Sequence, residues 1–399
     1  MRIYLDHNAT TPLAPSVADA MAQAMREDFG NPSSVHYFGQ RAKRRVDDAR
    51  SAVAALLGGT PAEVVFTSGG TEADNLALRG AAEARAASGR RHLIASAVEH
   101  EAVLNTLKAL TRLGWRTTLL PVDASGIVSP AALADVIDDE TAVVSVMHAN
   151  NEIGTLQPVT DLAAIAHEHG ALFHTDAVQS TGKLSIDLSA LGVDLLSLSG
   201  HKFNGPKGVG ALWIRRGVRL SAIQTGGRHE RNRRAGTENV PALAGLGVAA
   251  DLASRTLSEH ASRFATLRDR LEAGILSGVS GAVVNGDCAR RVPNTSNISF
   301  DGIEAESLLI ALDLEGIAVS TGSACSSGTL EPSHVLRAMG LPHQRVQSSI
   351  RFSLGAGNTV EQIDRVIIEL PAIVRRLRDL TRASGRSAAA GMAAARRDA

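Results

Sequence analysis

Aromatic residues make up only 3% of this 399-residue chain, although apolar residues account for 44%. A core with so few rings has to be assembled from alanine, valine, leucine and isoleucine. Only two cysteines occur, Cys288 and Cys325, too few for a disulfide framework at this length. Lysine plus arginine and aspartate plus glutamate each number 41, so the net charge is zero and the footprint of a polyanion binder is missing. No apolar run approaches the ~20 residues needed to cross a bilayer, and the opening Met1-Arg-Ile-Tyr-Leu-Asp6 has no signal-type apolar stretch. Membrane-spanning, nucleic-acid-binding and disulfide-scaffold classes are thereby excluded. A cytoplasmic globular protein is expected, with one large domain and a smaller partner, or two medium ones.

What is present is an alternation. A strand-like piece at Ile3–Leu5 precedes helical patterns over 16–27 and 38–57. From residue 61, apolar runs (64–66, 93–96, 117–121, 142–148, 171–174, 195–198, 210–214) alternate with helical patterns (71–87, 100–113, 130–138, 160–169), the signature of a mostly parallel α/β sheet. A long helical pattern over 251–276 leads into a second, smaller α+β unit. The expected division is a large domain over 15–255, a small domain from 1–14 and 256–380, and a disordered low-complexity tail over 381–399.

Five strand ends carry chemistry. Ser199-Gly200-His201-Lys202 follows an apolar run, where a lysine is either a surface residue of a Gly-rich turn or a desolvated, nucleophilic amine. Ser68-Gly69-Gly70-Thr71 opens a helix; it reads as a phosphate cradle, or as a plain turn with Thr71 and Asp74 forming a capping box. His174-Thr175-Asp176 ends another strand, at the edge where parallel sheets bind ligands. Asp176 serves there as a helix cap, or as the acid that keeps a heterocyclic nitrogen protonated. Glu99-His100 and His148-Ala149-Asn150-Asn151-Glu152 follow two more strands, and His100 either stacks on a ring, shuttles protons or is structural. Cradle, acid, stacking histidine and lysine together describe one ligand, pyridoxal 5′-phosphate.

With Leu5-Asp-His-Asn-Ala-Thr-Thr11, Phe66-Thr-Ser-Gly-Gly-Thr-Glu72, His174-Thr-Asp-Ala-Val-Gln179, Arg234-Ala-Gly-Thr-Glu-Asn239, Ser323-Ala-Cys-Ser-Ser-Gly328 and Ser349-Ile-Arg-Phe-Ser-Leu-Gly355 in the same order, the chain resembles the cysteine desulfurases of the nitrogen-fixation and iron–sulfur-cluster type. These belong to the class V aminotransferase superfamily of fold-type-I enzymes, and the resemblance runs from Tyr4 to about Leu380. It implies a large domain with a mostly parallel seven-stranded sheet and a smaller α+β domain. It further implies that Lys202 carries the cofactor covalently and moves the Cα proton, that His100 stacks on the ring, and that Asp176 holds the ring nitrogen. Gln179 would meet the ring hydroxyl, and Gly70, Thr71, Ser199 and His201 the phosphate. Thr237 would reach the phosphate of the other subunit in a homodimer. Asn151 would contact the cofactor and, with Arg351, the carboxylate of L-cysteine.

Cys325 lies among small polar residues, the setting of an exposed reactive thiol. By the resemblance it receives the sulfur as a persulfide and passes it to an acceptor protein such as a cluster scaffold; whether it also ligates a cluster transiently stays open, and no resident metal is expected. Cys288 matches no motif. His167 and His169 point to different helix faces and read as surface residues, and the basic run Arg228–Arg234 reads as a phosphate or subunit contact. A selenocysteine lyase, another class V aminotransferase-type enzyme, or a non-catalytic scaffold of this fold are the competing readings.

Overall fold

Short apolar runs separated by helical patterns assemble into one large sheet. The computed structural model describes residues 2–322 and 332–395, with side chains as far as residue 382. The strands are β1 (Ile3–Tyr4), β2 (Val64–Thr67), β3 (His92–Ser96), β4 (Arg116–Leu120), β5 (Thr141–Ser145), β6 (Leu172–Asp176), β7 (Leu195–Ser199), β8 (Gly210–Ile214), β9 (Ala282–Asn285), β10 (Thr295–Phe300), β11 (Ile317–Ala318) and β12 (Ser349–Ser353). Seven of them lie in the order β2-β8-β7-β6-β5-β3-β4. Only β8 runs against its neighbours, so β2, β3, β5, β6 and β7 all send their carboxyl ends to one rim. Both faces are covered, which is why these strands read as continuous apolar runs and not as alternating ones. On one face pack the helices Pro15–Glu27, Tyr37–Leu57 and Val159–Glu168 and the start of Val240–Gly278. The helices Gly70–Ala86 and Glu101–Arg112 cover the other.

A second core gathers Ile3 and Leu5 with Leu271, Ile298, Phe300, Leu312 and Phe352 around the antiparallel sheet β12-β10-β9 and the parallel pair β1-β11. The helix Val240–Gly278 links the two cores, Ala253 packing in the first and Leu267 in the second. The expected boundary at 255/256 thus falls inside a continuous helix.

Three local expectations differ from the structure. That long helix begins at Val240 and not at Asp251, capped by the Asn239 side chain, which accepts the Ala242 N–H. Gly245 and Gly247 mask its first turns, since glycine is a poor helix former whose presence here serves close packing. The helix expected over 130–138 stops at Ala134, beyond which Asp138 and Thr141 bond each other at 3.2 Å. In the tail expected to be disordered, the helix Val360–Ala395 continues to residue 395, consistent with the strong helix propensity of its alanines; 396–399 lie outside the described residues.

Candidate active site

The rim of parallel strand ends opens on a cavity of about 310 Å³, the size of a small-ligand pocket. Gly70, Thr71, His100, Asn151, Asp176, Gln179, Ser199, His201, Lys202 and Arg351 all line it. Each owes its position to a local rule. Asp176 and Ser199 are the last residues of β6 and β7. His100 caps the helix after β3, its Nδ1 accepting the Ala102 N–H at 3.1 Å. Lys202 ends a single 3₁₀ turn directly after β7.

Gly70 begins the helix after β2, and a Cβ added to it would come within 2.8 Å of Val178 Cγ2. The approach to that helix is equally tight: Gly69 has φ +155°, and a Cβ on Gly210 would lie 2.8 Å from the Gly69 carbonyl carbon. Backbone N–H groups at such a helix start form an anion site. No capping box forms there. Gly69 is the cap, the Ser68 N–H is taken by Glu72 Oε2 at 2.7 Å, and Asp74 turns into the cavity wall.

Electrostatics at the floor follow from burial. It pushes the Asp176 carboxyl above its ordinary range, with His100 and Lys202 pulling it back and the Val178 N–H bonded to Oδ1 at 2.8 Å. Asp74 is pushed well up by burial and by Asp176, and among the described residues its Oδ1 has no hydrogen-bond partner, His174 Nε2 standing 3.6 Å away. Two carboxyls in one dry wall would be relieved by a cationic ring nitrogen. Burial lowers His100, which keeps the imidazole neutral with its proton on Nε2 and its face suited to stacking. His201 falls to about 4 through burial and the charges of Lys202 and Lys207. It is therefore a neutral hydrogen-bonding group at neutral pH.

The opposite wall comes from distant sequence. Lys202 Nζ donates to the carbonyls of Asn8 (2.5 Å) and Ala9 (2.9 Å). Arg351, in β12, donates to Asn151 O (2.9 Å) and pairs with Asp6 Oδ1 (2.7 Å). An incoming carboxylate has to share this guanidinium with Asp6. Asn8 lies in the motif Leu5–Thr11, to which the sequence attaches no role, and Asp74, just past the motif Phe66–Glu72, enters the sequence pattern only through the capping-box alternative.

Thr237 is exposed and away from the cavity. The segment before it is held by Glu230, which pairs with buried Arg50 at 2.7 Å while Glu230, Arg231 and Asn232 all adopt positive φ. His167 bonds Asp194 at 2.8 Å. Cys288 is exposed. Cys325 lies outside the described residues, and among those residues no cluster of metal-ligating side chains occurs.

The aminotransferase class-V family pattern matches residues 3–366. The chain belongs to this family. A cysteine desulfurase IscS of Methanosarcina thermophila is 48% identical over 379 residues, 95% of this chain and 93% of that protein. A solved NifS-like protein superposes with a TM-score of 0.89 at 39% identity, covering 94% of this chain and 100% of that one. A solved SspA in complex with cysteine gives 0.79 at 35% identity, covering 89% and 99%. The chain is a pyridoxal-phosphate-dependent cysteine desulfurase with the fold-type-I architecture. The cavity suits that cofactor: it has a glycine-floored helix start, a buried acid wall, a neutral imidazole and an amine within one small volume.

Proposed function

We propose that the enzyme converts L-cysteine to L-alanine and leaves the sulfur as a persulfide on Cys325. The convergence of Lys202, Asp176 and His100 with the Gly70–Thr71 helix start on one cavity carries this reading. Gly70, Thr71, Ser199 and His201 would hold the phosphate, Asp176 the ring nitrogen, His100 the ring face and Gln179 the ring hydroxyl. Bound pyridoxal phosphate supplies an electron sink for the bonds broken at Cα and Cβ of the substrate. Arg351 and Asn151 orient the carboxylate, a task suited to a guanidinium fork. Lys202 takes the proton from Cα, and the neutral His100 stands beside it as a proton carrier. The Cys325 thiolate attacks the substrate sulfur; an S–S bond forms, the C–S bond breaks, and its electron pair leaves with the carbon, which is protonated to give alanine.

The persulfide then passes to a sulfur acceptor, such as a cluster-assembly scaffold or a thiolating enzyme. A homodimer completes the site through Thr237, which does not line its own cavity. The exposed group Phe29 (70%), Val35 (92%), Tyr37 (64%) and Phe38 supports such an interface. A reducing cytoplasm suits a mechanism that needs a free thiol.

The test is incubation with L-cysteine and assay of alanine, sulfide and bound persulfide. Cys325→Ala is expected to keep the visible absorption of the loaded enzyme and lose persulfide and sulfur transfer. Lys202→Ala is expected to lose that absorption. Parental desulfuration by Cys325→Ala rules out the role given to Cys325.

A further inference from the structure

Lys183 has no part in the chemistry above, yet it is enclosed only 6% exposed beside it. Among the described residues it forms no ion pair. Its Nζ donates to Gln179 Oε1 at 2.9 Å and to Asn8 Oδ1 at 3.2 Å. Burial holds its pKa well below the ordinary value, with Lys202 and Arg351 adding to the effect. Both acceptors are satisfied in either protonation state, because a neutral amine keeps two N–H bonds. Burying an amine without a counter-charge costs stability, so its retention at this spot calls for a reason.

The atoms around it are themselves tied. Asn8 Nδ2 donates to Asn151 O (3.1 Å) and Thr295 Oγ1 (2.8 Å), and Asn294 Nδ2 donates to Asn8 Oδ1 (3.0 Å), which fixes the face Asn8 shows to Lys183. Gln179 Nε2 donates to Asn8 O at 3.0 Å, the carbonyl that also receives Lys202. With Oε1 satisfied by Lys183 and one N–H by Asn8, the amide has a second N–H left for the cavity it lines.

We propose that Lys183 is a positioning residue for the cofactor, locking the Gln179 amide so that the cavity is offered an N–H donor. The proposal rests on the reading of Gln179 as the residue that meets the ring hydroxyl. A donor to that oxygen competes with the proton shared along the Lys202–cofactor linkage, and so lowers the pH at which the proton is lost. Without Lys183, Oε1 is buried and unpaired, and the amide turns away to find a donor. Asp176, His100, His201 and Arg351 also act on Lys202 or Lys183, as does His7, and all of them stay in place in the variants below.

The experiment is a pH titration of the visible absorption of the full-length, cofactor-loaded protein. Lys183→Met is expected to raise the midpoint by about one pH unit, the size of a lost hydrogen bond to a charged oxygen. Gln179→Leu is expected to raise it equally, and the double variant no further than either alone. Lys183→Arg, which keeps the donors, is expected to stay within a few tenths of the parent. A parental midpoint in Lys183→Met with only a lowered melting temperature makes Lys183 a structural tie and overturns the proposal. A parental midpoint in Gln179→Leu overturns it whether or not Lys183→Met folds, and additive shifts in the double variant do so as well. If the unsubstituted protein takes up no cofactor, the reading of the cavity fails, independently of Lys183.

Discussion

Glu99 is fully buried, receives the Ser96 hydroxyl (2.5 Å) and the Met147 N–H (2.8 Å) on one oxygen, and among the described residues has no hydrogen-bond partner for the other. Burial pushes its carboxyl up to about 8. The folded chain therefore holds a proton that the unfolded chain releases near its ordinary value of 4.5, so this group's contribution to stability declines as pH rises from there toward about 8. Glu99→Gln accepts the same two donors without the charge. It is expected to be more stable than the parent by a margin that grows from about pH 5 to about pH 8, reaching a few kcal/mol. Denaturant unfolding of the cofactor-free protein at several pH values measures it, and a margin independent of pH counts against the argument. In the sequence Glu99 shows only as the neighbour of His100, because full burial of a carboxyl leaves no local pattern. Asp74 reads from the sequence only as a capping-box residue for the same reason.

At the scale of elements, the strand ends were legible because the rule that brings them together is simple: parallel strands share a rim, and whatever follows each strand end is placed on it. The long helix Val240–Gly278 was legible only from Asp251 onward. Its first turns cross the helix Tyr37–Leu57 so closely that a Cβ on Gly247 would lie 2.7 Å from Ala49 Cα. Gly247→Ala gains about 1 kcal/mol of helix propensity, but forces two backbones apart at about 1–3 kcal/mol. Backbone atoms yield less readily than a side-chain end, so net destabilisation is expected, seen as a lower melting temperature with the far-ultraviolet spectrum unchanged. A raised melting temperature means the crossing is looser than this distance implies.

For the whole molecule, the two cores and the helix between them set the wall of the cavity that carries Arg351 and Asn8. The proposed dimer makes a further prediction at this scale. Phe29 and Phe38 have ring centroids 5.2 Å apart on the surface. The double substitution Phe29→Asp and Phe38→Asp is expected to shift sedimentation toward a monomer and to weaken cofactor retention, since Thr237 of the second copy is then lost to the site. A monomer that retains its cofactor as well as the parent removes Thr237 from the phosphate site.

Sequence alone determined which chemical groups are present and where each sits on its own element, because strand ends, helix starts and glycine-tight turns obey local rules. Order of motifs then sufficed to point to the family. Only the tertiary structure decided which groups meet. The Arg351–Asp6 pair spans 345 positions, Lys183 and Asn8 are 175 apart, and Lys202 reaches back 194 to the same asparagine. Such contacts depend on how two cores dock, and the shifts in Asp176, Glu99 and Lys183 depend on the loss of water that follows.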